Sequence, residues 1–249
     1  MPGKGKTVVV AGGSSASGVA VARAFSTSGF TVFTVGSNEE RIKAAASRAG
    51  PDVIPLTCNL AELQAVQELG EAIRRQSRGI DGVIHLVGGW RGADGIEDQS
   101  DDDWRFLEET AVTTLRNVTR VFFHDLATSD CGRFAMVTST VVASPQAGDA
   151  SYAAAKAAAE TWTLAMAEGL QAAPNSSASI FVAKALVDEA MRRKHPDRDF
   201  LGYTDVEELA SAAVGLFDRP AAAVNGQHID LTATAPAQTA KPGNRSADP

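Results

Sequence analysis

The chain has little of what marks specialised protein classes. Its 249 residues hold two cysteines, Cys58 and Cys131, far apart and with no C-x-x-C pair. They suggest a reducing cytosol, with both thiols as small buried side chains. The four histidines (His85, His124, His195 and His228) are scattered and give no metal-ligand spacing. No run of Lys and Arg appears, the net charge is −7 and the pI is about 5.1. Nucleic acid is therefore not the expected partner. No apolar stretch reaches the roughly 18 residues that a membrane span needs. The opening, MPGKGKTVVVAGG, is too short and too quickly interrupted for a secretory leader. The expectation is a cytoplasmic protein with a small-molecule partner.

What is present is alternation. TVVVAG, FTVFTVG, DVIPLTC, IDGVIHLVGG, GRFAMVTST, ASIFVAKAL and GQHIDLTA are apolar runs that suit strands. Between them lie helical patterns. The first ends at Gly29, another runs from about Asp101 to Leu126, another to about Gly169, and the last from about Asp205 to Phe217. Strands and helices alternating at this length imply one parallel sheet covered on both faces. The expected fold is α/β: a single doubly wound (Rossmann) sheet of about seven strands with helices on both faces. At this length one domain is expected, over residues 1–232. Residues 233–249, rich in Ala, Pro and polar residues, are expected to be a disordered tail.

Two local patterns carry chemistry. In DASYAAAKAAAE, Tyr152 and Lys156 are four apart and project from one helix face. A cation beside a phenol favours the phenolate and lowers the phenol pKa from about 10. In VVVAGGSSASGVAVARAF, a Gly/Ser-rich turn joins the first strand to the first helix. Small residues there let backbone approach a pyrophosphate, whose charge the helix N-terminus favours.

Gly12-x-x-x-Ala16-x-Gly18, the strand end TSTVVASP with Ser139, and Tyr152-x-x-x-Lys156 stand in the order and at the distances of one family. The chain resembles a short-chain dehydrogenase/reductase from its first strand to NGQHID. The resemblance implies hydride transfer with a nicotinamide cofactor. Tyr152 is then the acid or base, Lys156 its activator and a ribose contact, and Ser139 the hydrogen-bond donor to the substrate oxygen. Cofactor contacts are implied at Gly12, Ser14, Ser15, Ala16, Ser17, Gly18, Gly36, Ser37, Asn38, Asn59, Leu60, Val87, Gly88 and Val187, besides Tyr152 and Lys156.

Departures from the family pattern are plain. The middle glycine of the turn is Ala16. HLVG (His85 to Gly88) replaces N-N-A-G, the helix Asn aligns with Ala111, and Pro-Gly after the sixth strand becomes Lys184-Ala185. They motivate a second reading, a non-catalytic dinucleotide-binding protein on the same fold. The short segment after the sixth strand resembles the dihydropteridine-reductase branch. Trp90, Phe200 and Tyr203 suit an aromatic wall for a flat substrate, or ordinary loop anchors. Gly36, Ser37 and Asn38 put no carboxylate at the end of the second strand, and Arg41 follows one turn later. NADP(H) is therefore favoured over NAD(H). Apolar residues on the long helix before the fifth strand (Phe106, Leu107, Leu115, Val118, Phe122, Phe123) and on the Tyr152 helix (Trp162, Leu164, Met166) suggest a homodimer or homotetramer.

Overall fold

The computed structural model describes residues 3–232. The expected tail, 233–249, lies outside the described residues. In chain order the elements are β1 (Thr7–Ala11), α1 (Ala16–Thr27), β2 (Thr31–Gly36), α2 (Glu39–Ala49), β3 (Val53–Thr57), α3 (Leu63–Gln76) and β4 (Gly82–His85). Then come α4 (Asp101–Glu108), α5 (Thr114–Thr128), β5 (Arg133–Ser139), α6 (Ala150–Gly169), β6 (Ser177–Ala183) and β7 (Leu186–Val187). The last are α7 (Glu189–Lys194), β8 (Thr204–Asp205), α8 (Val206–Gly215), α9 (Ala221–Val224) and β9 (His228–Asp230).

Seven parallel strands form one sheet in the order β3-β2-β1-β4-β5-β6-β9. The order reverses between β1 and β4, which opens a crevice at their carboxyl ends. Alternate side chains of β1 enter different cores. Val8 and Val10 pack with Phe25, Val32 and Leu209 under α1 and α8, while Val9 and Ala11 pack with Phe33, Val83 and Phe134 under α3, α5 and α6. Burial on both faces is why β1 reads as an unbroken apolar run.

Two expectations about the elements are corrected. The helix from Asp101 is not uniform: a π-helical turn, Glu109–Thr113, separates α4 from α5. Hydrophobic periodicity cannot register one extra residue per turn, and such turns often mark functional sites. The sixth apolar run is not one strand either. β6 stops at Ala183, and after Lys184-Ala185 the chain pairs Leu186↔Thr204 and Val187↔Asp205 in a separate two-stranded ladder. Most of the apolar residues assigned to an interface are spent inside the chain. Leu107, Leu115, Val118, Phe122 and Met166 are buried, and of the residues assigned Leu164 is the exposed one, at 39%.

Candidate active site

The turn after β1 is built by backbone constraints. Gly12 adopts φ +86°, and a Cβ there would stand 2.7 Å from the Leu86 carbonyl carbon. A Cβ at Gly18 would stand 2.5 Å from the Gly13 Cα, so the first turn of α1 packs directly on the loop. Ser15 caps α1: its Oγ accepts from the Gly18 N–H at 3.0 Å and donates to the Gly12 carbonyl at 2.9 Å. Ser17 Oγ lies 3.0 Å from it. Ala16, the first residue of α1, lines neither cavity described here.

A cavity of about 290 Å³ opens beside this turn. Gly12, Ser14 and Ser15 form one wall, and Gly36, Ser37 and Asn38 form another with Arg41. Asn59, Leu60, Val87 and Gly88 close it. Asn38 is engaged as the cap of α2, accepting from the Arg41 N–H at 2.9 Å. The Asn59 side chain holds Glu62 at 2.9 Å and the Ala61 N–H at 3.1 Å. Ser14 Oγ is buried with no hydrogen-bond partner among the described residues. An orphaned hydroxyl beside a glycine cradle and a helix N-terminus fits the phosphate and ribose oxygens of a dinucleotide. Thr110, within the π turn, and Thr114, just after it, also line this cavity. Sequence reasoning missed them because it followed the aligned position, Ala111.

A second cavity, of about 430 Å³, shares Ser15, Leu86, Val87 and Gly88 with the first. It brings together Ser139 from the end of β5, Tyr152 and Lys156 from α6, Ser17, and Trp90 from the loop after β4. Ser139 is buried, and its Oγ accepts weakly from the Val141 N–H at 3.5 Å. Lys156 Nζ donates to the Val137 carbonyl at 2.9 Å and stands 5.9 Å from the Tyr152 ring centre. Burial pushes the Lys156 pKa down to about 8, and Glu160 opposes that. The phenol runs against expectation. Burial raises the Tyr152 pKa above 10, the Ser139 hydroxyl pulls it back, and Asp149 adds to the rise. The lysine does not overcome desolvation of the phenolate.

His85, at the end of β4, is also buried. Thr114 Oγ1 lies 3.2 Å from His85 Nε2 and donates its proton to the Thr110 carbonyl at 2.7 Å. His85 Nε2 therefore carries hydrogen, and Nδ1 is left as an acceptor with no partner among the described residues. Burial, then Lys156, pushes its pKa down to about 3.

The remaining predicted contacts lie elsewhere. Trp90 lines the second cavity, is 62% exposed, and donates from Nε1 to Asp149 Oδ1 at 3.1 Å. Phe200 and Tyr203 line neither cavity. They pack edge to face at 5.5 Å, with Arg198 against both rings and bonded to the Tyr203 hydroxyl. Phe200 is buried at φ 51°. These two rings anchor the loop before β8. Val187 is buried in the small ladder, and its neighbour Leu186 reaches the cavity instead.

No helix among the described residues is long and apolar enough to cross a membrane. The family model for short chain dehydrogenase matches residues 6–194. Nodulation protein G of Rhizobium sp. (strain N33) is 29% identical over 238 residues, covering 91% of this chain and 95% of that protein. The 3-oxoacyl-(acyl-carrier-protein) reductase FabG of Vibrio harveyi is 27% identical over 237 residues, covering 92% and 96%. A short-chain type dehydrogenase/reductase from Mycobacterium ulcerans superposes with a TM-score of 0.83 at 18% identity, covering 93% of this chain and 90% of that one, and shows the same fold. The order of glycine turn, buried serine and Tyr-Lys helix, set on this sheet, agrees with the family match: the chain belongs to the short-chain dehydrogenases, pyridine-nucleotide-dependent oxidoreductases.

Proposed function

We propose that the protein is a cytoplasmic, NADP(H)-preferring reductase of small carbonyl (or quinonoid or imine) substrates, with Tyr152 as its acid and base. The observation that carries this reading is the second cavity, where Ser139, Tyr152 and Lys156 meet beside Val87 and Gly88. Gly12, Ser14 and the N-terminus of α1 would hold the pyrophosphate, and Ser37 and Arg41 the adenosine ribose. A bound nicotinamide supplies the hydride.

The chain's own residues do the rest. The Ser139 hydroxyl donates to the substrate oxygen and gains strength as negative charge develops there. Tyr152 then gives that oxygen its phenolic proton. The Lys156 ammonium offsets the phenolate left behind, a charge that burial makes costly. In the reverse direction the phenolate takes the proton from an alcohol. Leu86, Val87 and Leu186 give the cavity apolar walls beside the reacting atoms. The preference for NADP(H) is supported by the lack of a carboxylate at Gly36 to Asn38. Arg41, which makes no ion pair among the described residues, adds to it.

A test is NADPH oxidation with ketones, quinones, quinonoid pterins and 3-oxoacyl thioesters in turn. The last are included because one relative is named for them. Turnover of none, by protein that binds NADPH, would favour the non-catalytic reading. Assembly is a further part of the proposal. A groove of about 340 Å³ between α5 and α6, with Phe123, Trp162 and Met166 in its wall, is the surface across which two subunits would pair. Light scattering at micromolar concentration should report at least a dimer.

A further inference from the structure

Behind the lysine lies a carboxylate that the mechanism above does not use. Glu160 follows Lys156 by four residues on α6, so both side chains leave one helix face. Its side chain is 14% exposed, and both oxygens are occupied. Oε1 accepts from Thr138 Oγ1 at 2.5 Å, and Oε2 meets His228 Nε2 at 3.0 Å. Thr138 follows Val137, whose carbonyl takes the Lys156 ammonium. His228 stands on the edge strand β9, with a half-exposed ring that covers the outer oxygen. Three elements, α6, β5 and β9, thus fix one carboxylate. A carboxylate this enclosed persists in charged form where hydrogen bonds and a nearby cation compensate it.

Lys156 has the complementary need. It is buried, and Val137 is its one hydrogen-bond acceptor among the described residues. The other titratable groups near it are Tyr152 on its own helix and His85 at the end of β4, and both are held neutral at pH 7. Lys184, in the wall of the same cavity, is a further cation and turns its ammonium to the Leu201 carbonyl at 3.4 Å. Asp149, at the start of α6, acts on the phenol. Glu109 of the π turn faces the neighbouring cavity. His228 meets the carboxylate and not the lysine. On the α4 and α5 side, Ala111 packs a methyl group against Leu107 and Ala155 and brings no charge. Glu160 is left as the negative charge that acts on the ammonium.

We propose that Glu160, clamped between Thr138 and His228, is a positioning residue: the counter-charge that keeps the Lys156 ammonium charged beside the Tyr152 phenol. The inference rests on the roles proposed above for Tyr152 and Lys156. Its test has a readout apart from activity. The full chain, labelled with ¹³C at lysine Cε, is titrated by NMR. Seven lysines give seven signals, and Lys156→Arg identifies the one of interest. Its midpoint should lie near 8. In Glu160→Gln it should fall by about one pH unit. The alkaline limb of reductase activity, lost as Lys156 deprotonates, should move down with it. A merely structural Glu160 would lower Tm and leave the midpoint unmoved, and that result overturns the proposal. Should Glu160→Gln fail to fold, His228→Arg sets a permanent cation against the carboxylate from its half-exposed side. The Lys156 midpoint should then fall in the same direction, and no change overturns the proposal. Full activity in Tyr152→Phe removes the reading of the phenol and this inference together. Inactive Tyr152→Phe with an unmoved Lys156 signal in Glu160→Gln removes only the inference.

Discussion

The two cavities share a wall and are built by different means. The one beside α1 is mostly backbone: a left-handed glycine, a helix N-terminus, and glycines where a Cβ would collide. The one beside α6 is mostly side chains: a buried lysine, a buried histidine with a bare nitrogen, a desolvated phenol and an exposed tryptophan. Backbone sites tolerate little variation, because their shape comes from φ angles and close approach. Side-chain sites allow exchange, because a charge or donor can be supplied from several neighbouring elements. The chain follows that division. Its first turn keeps the family spacing but for Ala16, while His85 and Lys184-Ala185 depart from it around the second cavity.

The sharpest way to separate the two cavities is to remove the phenol. Tyr152→Phe keeps the ring and its packing and deletes the proton donor. Turnover should fall by about 10² to 10⁴, the usual worth of a general acid. NADPH affinity, followed by fluorescence titration, should stay within a few fold. More than about a tenth of the activity remaining would show that another group is the acid.

The next largest effect belongs to the backbone-built cavity. Gly36→Asp is a poor probe of charge, because a Cβ there would stand 2.5 Å from Ser14 Oγ and disturb packing. Ser37 is exposed and lines the same cavity, so Ser37→Asp adds a carboxylate without that collision. Two like charges about 4 Å apart repel by about 4 kcal/mol at an effective dielectric near 20. Solvent screening reduces this, yet NADPH should bind at least about tenfold more weakly while NADH is little changed. Equal loss for both cofactors would mean that no phosphate sits at Ser37.

The same division decides what could be read before the structure. The alternation of apolar runs and the glycine spacing are local, so they pointed to the parallel α/β sheet and to the turn that lines the first cavity. Tyr152 and Lys156 met as expected because four residues is one turn of one helix. What was left open or missed depends on distant packing. Trp90, Phe200 and Tyr203 are equal as aromatic residues, but only Trp90 reaches the cavity. The π turn leaves no mark on periodicity, so Thr110 and Thr114 went unnoticed. The rise in the Tyr152 pKa follows from burial, which spacing along a helix does not report. The grip on Glu160 comes from Thr138 and His228, residues that lie 22 and 68 positions away.

His85 allows a middle-sized test through stability instead of turnover. Its folded pKa, about 3, lies below the ordinary 6.5 because burial disfavours the imidazolium. Below pH 6.5 the unfolded chain takes up a proton that the folded chain refuses. Stability is therefore full above about 6.5 and is lost as pH falls towards 3. At about 1.36 kcal/mol per unit, this one group should cost about 2 kcal/mol by pH 5. His85→Asn should flatten the slope of unfolding free energy between pH 7 and pH 5 by about that amount. Identical slopes in urea titrations of the two proteins would mean that His85 protonates within the fold.

Trp90 offers the smallest effect and the finest cut between the cavities. Its ring lines the second cavity and not the first. Among the described residues the ring's one polar tie, Nε1 to Asp149 Oδ1 at 3.1 Å, is exposed and is worth about 0.5 to 1.5 kcal/mol at most. Trp90→Phe removes that tie and keeps a flat apolar face, whereas Trp90→Ala removes both. If the ring is a wall for the substrate, Trp90→Ala should raise KM by roughly three- to tenfold with kcat nearly unchanged, the mark of lost uniform binding. Trp90→Phe should stay close to wild type, and NADPH affinity should not move in either variant. If the tryptophan serves only to fasten its loop to the start of α6, the order changes. Both variants then lose the Asp149 tie alike, both loosen the loop that faces Tyr152, and kcat falls together in the two proteins while KM stays put.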